Sequence, residues 1–268
     1  MRNLRPTLRA LLVALAIGAT RTQAAHAGTL VFQAAGPTAD SIRGTVDAYR
    51  AKLGDPNLNN AGPLPGGRRE INWDGGGSND TTTAPVTPFD VFLDTRGARF
   101  TTRGRGLTQA PPAGGPQGGL AALFDNPSYG TIFATFSPLR LFTSVDSNVT
   151  EGVFFVPGTN GGRAATVNAF GAVFTDVDRP NGSGKKRADR GSTQIQYFDA
   201  DGKVLFTGSA PSSPGDASLS FLGVVFDDAL VGSVRITSGN TAPGPDDGGK
   251  ADVVMMDDFI YGEPQPLE

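Results

Sequence analysis

Apolar residues Ile42, Val46, Tyr49 and Leu53 recur at spacings of four, three and four. That is the repeat of one helical face. Thr38 or Ser41 can cap the start, and Gly54 followed by Asp55-Pro56 stops the run, so the spacing predicts a helix over 38–53. Beyond it the period changes from helical to alternating. Ile195 and Tyr197 alternate with Gln194 and Gln196, and Val234 and Ile236 with Ser233, Arg235 and Thr237. Alternation of this kind marks half-buried strands. Residues 167–177 (VNAFGAVFTDV) are apolar on both faces, as a central strand requires. Asp199-Ala-Asp201-Gly202 reads as a hairpin turn between strands at 194–198 and 203–207. Further strands are predicted over 90–93, 98–102, 131–136, 139–145, 149–156, 219–226, 230–237 and 253–261, with a short one within 68–74. The Gly-, Pro- and Asn-rich stretches at 54–88, 104–119 and 182–190 read as loop-rich.

Short strands punctuated by Gly and Pro, with no second helix between them, predict an all-β fold: an antiparallel β-sandwich (jelly roll) with one N-terminal α-helix. The sandwich is expected over 86–262, with the segment 28–85 packed on it and 263–268 as a tail. Composition agrees, since 37 Gly and 20 Pro disfavour a helical bundle and 17 Phe supply a core. The likeness of Gly171-Ala-Val-Phe174-Thr-Asp176 to Gly223-Val-Val-Phe226-Asp-Asp228 is expected to reflect equivalent positions in two sheets.

The N-terminus changes the compartment. Arg2, Arg5 and Arg9 precede the apolar run 10–19, and Ala25-His26-Ala27 follows. This is the pattern of a secretory signal peptide over 1–27, cut before Gly28. Its removal takes four Arg and the single His, moving the formal charge from −3 to −7. The expected mature protein is therefore secreted and acidic. Its charge disfavours nucleic acid as a partner, and it has no apolar run long enough for a membrane span.

Four ordered segments carry a family resemblance: Phe170-Gly-Ala-Val-Phe-Thr-Asp-Val-Asp178, Tyr197-Phe-Asp-Ala-Asp-Gly202, Ser220-Phe-Leu-Gly-Val224 and Met256-Asp-Asp-Phe-Ile-Tyr261. With Gly67-Arg-Arg-Glu-Ile-Asn-Trp-Asp-Gly75 upstream, the series resembles secreted bacterial β-sandwich proteins that often carry a PEP-CTERM sorting tail. Those resemble galactose-binding-like or concanavalin-like jelly rolls. The resemblance implies a β-sandwich and an extracellular place. The chain stops at Glu263-Pro-Gln-Pro-Leu-Glu268 without the apolar helix and basic tail of such a sorting signal.

Residue types narrow the chemistry. With no Cys, and no His after residue 26, a Ser-His-Asp triad, a Cys-His pair and a His-based metal site are excluded from the mature chain. No catalytic residue is assigned. Ser183-Gly-Lys-Lys186 lies in a Gly-rich loop and not at a helix start, so it reads as chance. The acids are 22 Asp against four Glu, and most of that excess is turn chemistry. Asp257 and Asp258 interrupt an apolar strand. One of them must point inward and needs a partner: an Arg such as Arg140 or Arg235, backbone N–H groups, or a metal. With Asp176 and Asp178 ending a neighbouring strand, these four acids are the expected ligands of a structural calcium ion, which takes oxygen donors. Trp73, the only Trp, lies between Asn72 and Asp74 and is the candidate for stacking on a sugar ring, with a core position as the competing assignment. The expected function is a non-catalytic binding or cell-surface/matrix protein, glycan being the favoured ligand class. The alternatives are a carboxylate-based glycoside hydrolase and a purely structural extracellular protein.

Overall fold

The computed structural model describes residues 28–75, 78–179, 193–213, 215–227, 230–245 and 250–267. The expected signal peptide and the loop at 182–190 lie outside these. In chain order the elements are β1 (Thr29–Gly36), α1 (Ala39–Leu53), β2 (Arg68–Ile71), α2 (Leu93–Arg96), β3 (Ala98–Thr101), β4 (Gly106–Ala110), α3 (Gly119–Leu123), α4 (Tyr129–Ile132), β5 (Leu141–Val145) and β6 (Val149–Phe155). There follow β7 (Ala164–Thr166), β8 (Ala169–Thr175), β9 (Gln194–Phe198), β10 (Val204–Ser209), β11 (Leu219–Phe226), β12 (Ser233–Thr237), β13 (Met255–Gly262) and β14 (Gln265–Pro266).

Two antiparallel sheets pack face to face. The first runs β1-β11-β8-β13-β5-β4, with β2 also on β13; the second runs β10-β9-β12-β6-β7-β14, with β3 also on β6. The predicted antiparallel β-sandwich is the observed architecture. Between the sheets lies an aromatic core in which Phe142, Phe170, Phe174 and Phe259 of the first sheet meet Phe100, Phe154, Ile195 and Tyr197 of the second.

α1 forms for the reasons its sequence suggests. Thr38 and Ser41 make a reciprocal capping box, and Ile42, Val46, Tyr49 and Leu53 are buried on one side. That stripe covers the outer face of β8, β11 and β13 through Ala169, Val173, Phe221, Val225 and Ile260. The two look-alike segments, expected in separate sheets, are instead neighbours in one sheet, where Gly171 pairs with Gly223. The physical reason is Tyr49. A methyl on Gly223 would lie 2.8 Å from ring atoms of Tyr49, and one on Gly171 would lie 3.0 Å away. Two facing glycines leave the seat for that ring.

Other segments depart from the alternation. Residues 28–85 do not simply pack on the sandwich: β1 and β2 are strands of the first sheet. The stretch 131–136 overlaps α4, and the loop predicted over 104–119 contains β4 and the start of α3. β4 escapes the alternation rule because all five of its residues, Thr108 and Gln109 included, are buried. The segment carrying α3 and α4 lays Leu120, Phe124, Tyr129 and Phe133 against Leu141, Val253 and Met255, covering the outer face of the first sheet around β5 and the start of β13. Among the described residues no helix is long and apolar enough to cross a membrane.

Candidate functional site

Trp73 is fully buried, which corrects its assignment to sugar stacking. Its φ of 64° turns the ring inward from the end of β2. The indole stacks on Phe142 at 3.7 Å between centroids and meets Phe89, Phe92, Phe100 and Phe259 edge-on. Its Nε1–H donates to the Asp257 carbonyl at 3.2 Å. No face of the ring is left for a ligand. Asp74 is also structural, since its Oδ1 accepts the backbone N–H groups of Leu139 (2.6 Å) and Arg140 (3.0 Å). Asn72 alone of the three is exposed, and it lines a cleft.

The four Asp residues do not form one cluster. β8 and β13 do pair, but Thr175 is opposite Met255, which sets Asp176 beyond the start of β13. Asp178 is exposed, accepts from the Gly215 N–H and donates its own N–H to Asp252. Asp257 and Asp258 form a bulge between Met256 and Phe259. The bulge falls where the other edge of β13 passes from β5, paired at Met256, to β2, paired from Phe259 onward. There Asp257 Oδ2 accepts the Phe136 N–H (2.6 Å) and Asp258 Oδ1 accepts the Ser137 hydroxyl (2.5 Å). Arg50 supplies the cation, 3.1 Å from Asp258 Oδ2. Neither Arg140 nor Arg235 does so: Arg140 donates to the Gly75 carbonyl and Arg235 pairs with Glu151. Burial, and the adjacent Asp258 charge, push the Asp257 carboxyl well above the usual carboxylate range. Among the described residues no group of three or more Asp, Glu, His or Cys side chains is placed to hold a metal ion.

Two other surfaces carry concentrated polar chemistry. One is the outer face of the second sheet. The central strands β8, β11 and β13 of the first sheet are covered on both faces, by the core and by α1 with the α3–α4 segment, whereas the second sheet alternates buried and half-buried residues along β6, β9 and β12. Register aligns its outward side chains into rows. Thr101, Glu151, Arg235, Gln196 and Thr207 make one row. Arg99, Val153, Ser233 and Phe198 make the next. Arg235 bonds Glu151 at 2.7 Å and lies 5.5 Å over the Phe198 ring, and Arg99 lies 5.3 Å over Phe155. Two depressions of about 310 and 270 Å³ share Val153, Gly202 and Ser233 on this face. Alternation in the sequence identifies Gln194, Gln196, Ser233 and Arg235 as outward. Their assembly with Glu151 and Phe198 depends on the order β9-β12-β6, which no local pattern encodes.

The other surface is the cleft of about 430 Å³ that Asn72 lines, between α1, β2 and the β13 bulge. Its guanidinium groups belong to Arg50, Arg68 and Arg96. Glu70 bridges the first two, at 2.8 Å from Arg50 Nη2 and 2.5 Å from Arg68 Nε. No family model, curated protein or solved structure matches the chain.

Proposed function

We propose that the chain is an exported, non-catalytic binding or cell-surface protein that holds glycan on the outer face of its second sheet. The observation that carries this reading is the asymmetry of the sandwich: the central strands β8, β11 and β13 of one sheet are covered on both sides, and the central strands of the other present a half-buried polar and aromatic face. Planar polar side chains such as Arg235, Gln196 and Glu151 suit pairs of sugar hydroxyls. Arg235 over Phe198 and Arg99 over Phe155 form layered arginine–aromatic surfaces on which ring C–H groups can pack. Shallow pockets of mixed apolar and convergent polar character are ordinary ligand sites. The export pattern of residues 1–27 and the resemblance to secreted β-sandwich proteins support the compartment.

The hydrolase alternative finds less support on this face. Glycoside hydrolysis needs two carboxyl groups flanking one bond. The carboxylates lining the two depressions are Glu151, already paired with Arg235, and Asp199 in the other depression, whose Oδ1 accepts the N–H groups of Asp201 and Lys203 in its own turn. A glycan array probed with the purified protein tests the reading. Binding to a defined set of glycans that Phe198→Ala and Arg235→Ala each reduce at least tenfold is the expected result. No bound glycan, or binding indifferent to both substitutions, would remove it.

A further inference from the structure

We propose that the Arg50–Arg68–Arg96 cleft is a second, separate binding site, selective for a carboxylate-bearing sugar of the hexuronate class. It does not depend on the open face of the second sheet. Its volume, about 430 Å³, falls within the ~300–1,000 Å³ of small-molecule sites.

The lining brings three guanidinium groups against two carboxylates, Glu70 and Asp258. The three cations are not equivalent. Arg50 is fully engaged, with Asp47, Glu70 and Asp258 at 3.2, 2.8 and 3.1 Å. Arg68 spends Nε on Glu70 and Nη1 on the Gly54 carbonyl. Among the described residues Arg96 hydrogen-bonds only neutral oxygens: the Glu70 carbonyl at 2.8 Å, the Thr95 carbonyl at 3.5 Å and the side chain of Asn59. Among the described residues neither Arg68 nor Arg96 makes a hydrogen bond through Nη2. Each guanidinium is therefore held in place by its other nitrogens while one donor pair stays open. That is the pre-organised state in which a planar fork binds a carboxylate with little further ordering.

The same lining selects the rest of the ligand. Glu70, its side chain a quarter exposed, can accept from sugar hydroxyls, and the exposed Asn72 amide can both donate and accept. Pro56 and Leu58, the latter 63% exposed, form an apolar wall for ring C–H groups. Asp47 lies outside the lining with its side chain 58% exposed, so within the cleft three guanidinium groups face two carboxylates, a balance that matches a monoanion. A phosphate dianion would bring a second charge toward two carboxylates, which costs Coulomb energy at close range.

Isothermal titration with galacturonate, its methyl ester and inorganic phosphate tests the assignment. Expected is saturable binding of the acid, at least tenfold weaker binding of the ester and of phosphate, and loss of affinity as salt is raised. Arg96→Gln and Asn72→Ala should each weaken the acid at least fivefold. Asn72 is exposed, so its variant should keep the wild-type melting temperature and decides the matter even where Arg96→Gln does not fold. Equal binding of acid and ester, phosphate binding as tight as the acid, no binding of the acid, or an unchanged affinity in Asn72→Ala would each overturn the proposal. Failure of the glycan array with success here would leave this site standing, and the reverse holds equally.

Discussion

Trp73 shows how one side chain can link three segments of chain. Its ring is stacked on β5, edge-on to β3 and β13, and hydrogen-bonded to the bulge carbonyl of Asp257. Truncating a buried aromatic leaves a large cavity and typically costs about 3–5 kcal/mol. Trp73→Ala should therefore lower the urea midpoint by that equivalent, and an unchanged midpoint would contradict a core role. Asp257 is the second residue with a measurable consequence. Its carboxyl is buried beside Asp258, so its pKa in the folded chain is raised above the roughly 4 of an unfolded Asp. The folded state then holds this proton more tightly than the unfolded state does. The resulting stability is fully present below the unfolded value and is lost as pH rises through the folded one. Carboxyl ¹³C NMR should find Asp257 titrating above the ordinary carboxylate range, and a midpoint at or below about 4 would refute the assignment.

At the scale of elements, the connection between α1 and β2 is held by a buried ion pair rather than by apolar packing. Arg69 on β2 and Glu263 just after β13 are buried and bonded twice, at 2.5 and 2.7 Å. Arg69 also donates to the carbonyls of Leu58 and Asn60, both at 2.8 Å. Glu263 in turn accepts from the Asn57 amide and the Leu64 N–H. The pair thus gathers a long irregular loop onto the sheet edge and fixes the walls of the arginine cleft. Removing one partner strands the other charge in the interior, a cost of about 3–5 kcal/mol. Glu263→Ala should accordingly melt well below wild type, whereas the exposed pair Arg43–Asp40, at 3.0 Å on α1, should contribute at most about 1 kcal/mol.

For the whole molecule, the decisive feature is that the two sheets have different surroundings. α1 and the α3–α4 segment lie against the first sheet, so its strands β8, β11 and β13 are buried at every position. The second sheet keeps one half-buried face. Its Arg235–Glu151 pair is partly solvated, with side chains 40% and 38% exposed, and such pairs are worth about 0–1 kcal/mol. Arg235→Ala should therefore leave the melting temperature close to wild type while reducing glycan binding. That separation distinguishes a ligand-binding role for the face from a structural one.

Local pattern in the chain determined α1 with its cap, the β9–β10 hairpin, the alternation of β12, the doubly buried β8 and the antiparallel sandwich. Each depends on neighbours within a few residues, where propensity, capping and period act directly. Residue types alone also excluded His- and Cys-based chemistry after residue 26. The tertiary structure decided the rest because it rests on contacts across tens to hundreds of residues. Trp73 went inward through a left-handed turn that no apolar neighbour announces. Asp258 found its cation 208 residues away, in Arg50 of α1. Gly171 and Gly223 became partners because a helix-borne Tyr49 needed their missing side chains. The open face and the arginine cleft likewise exist only once strand order is set, and strand order is chosen by the burial of whole sheets rather than by any short stretch of chain.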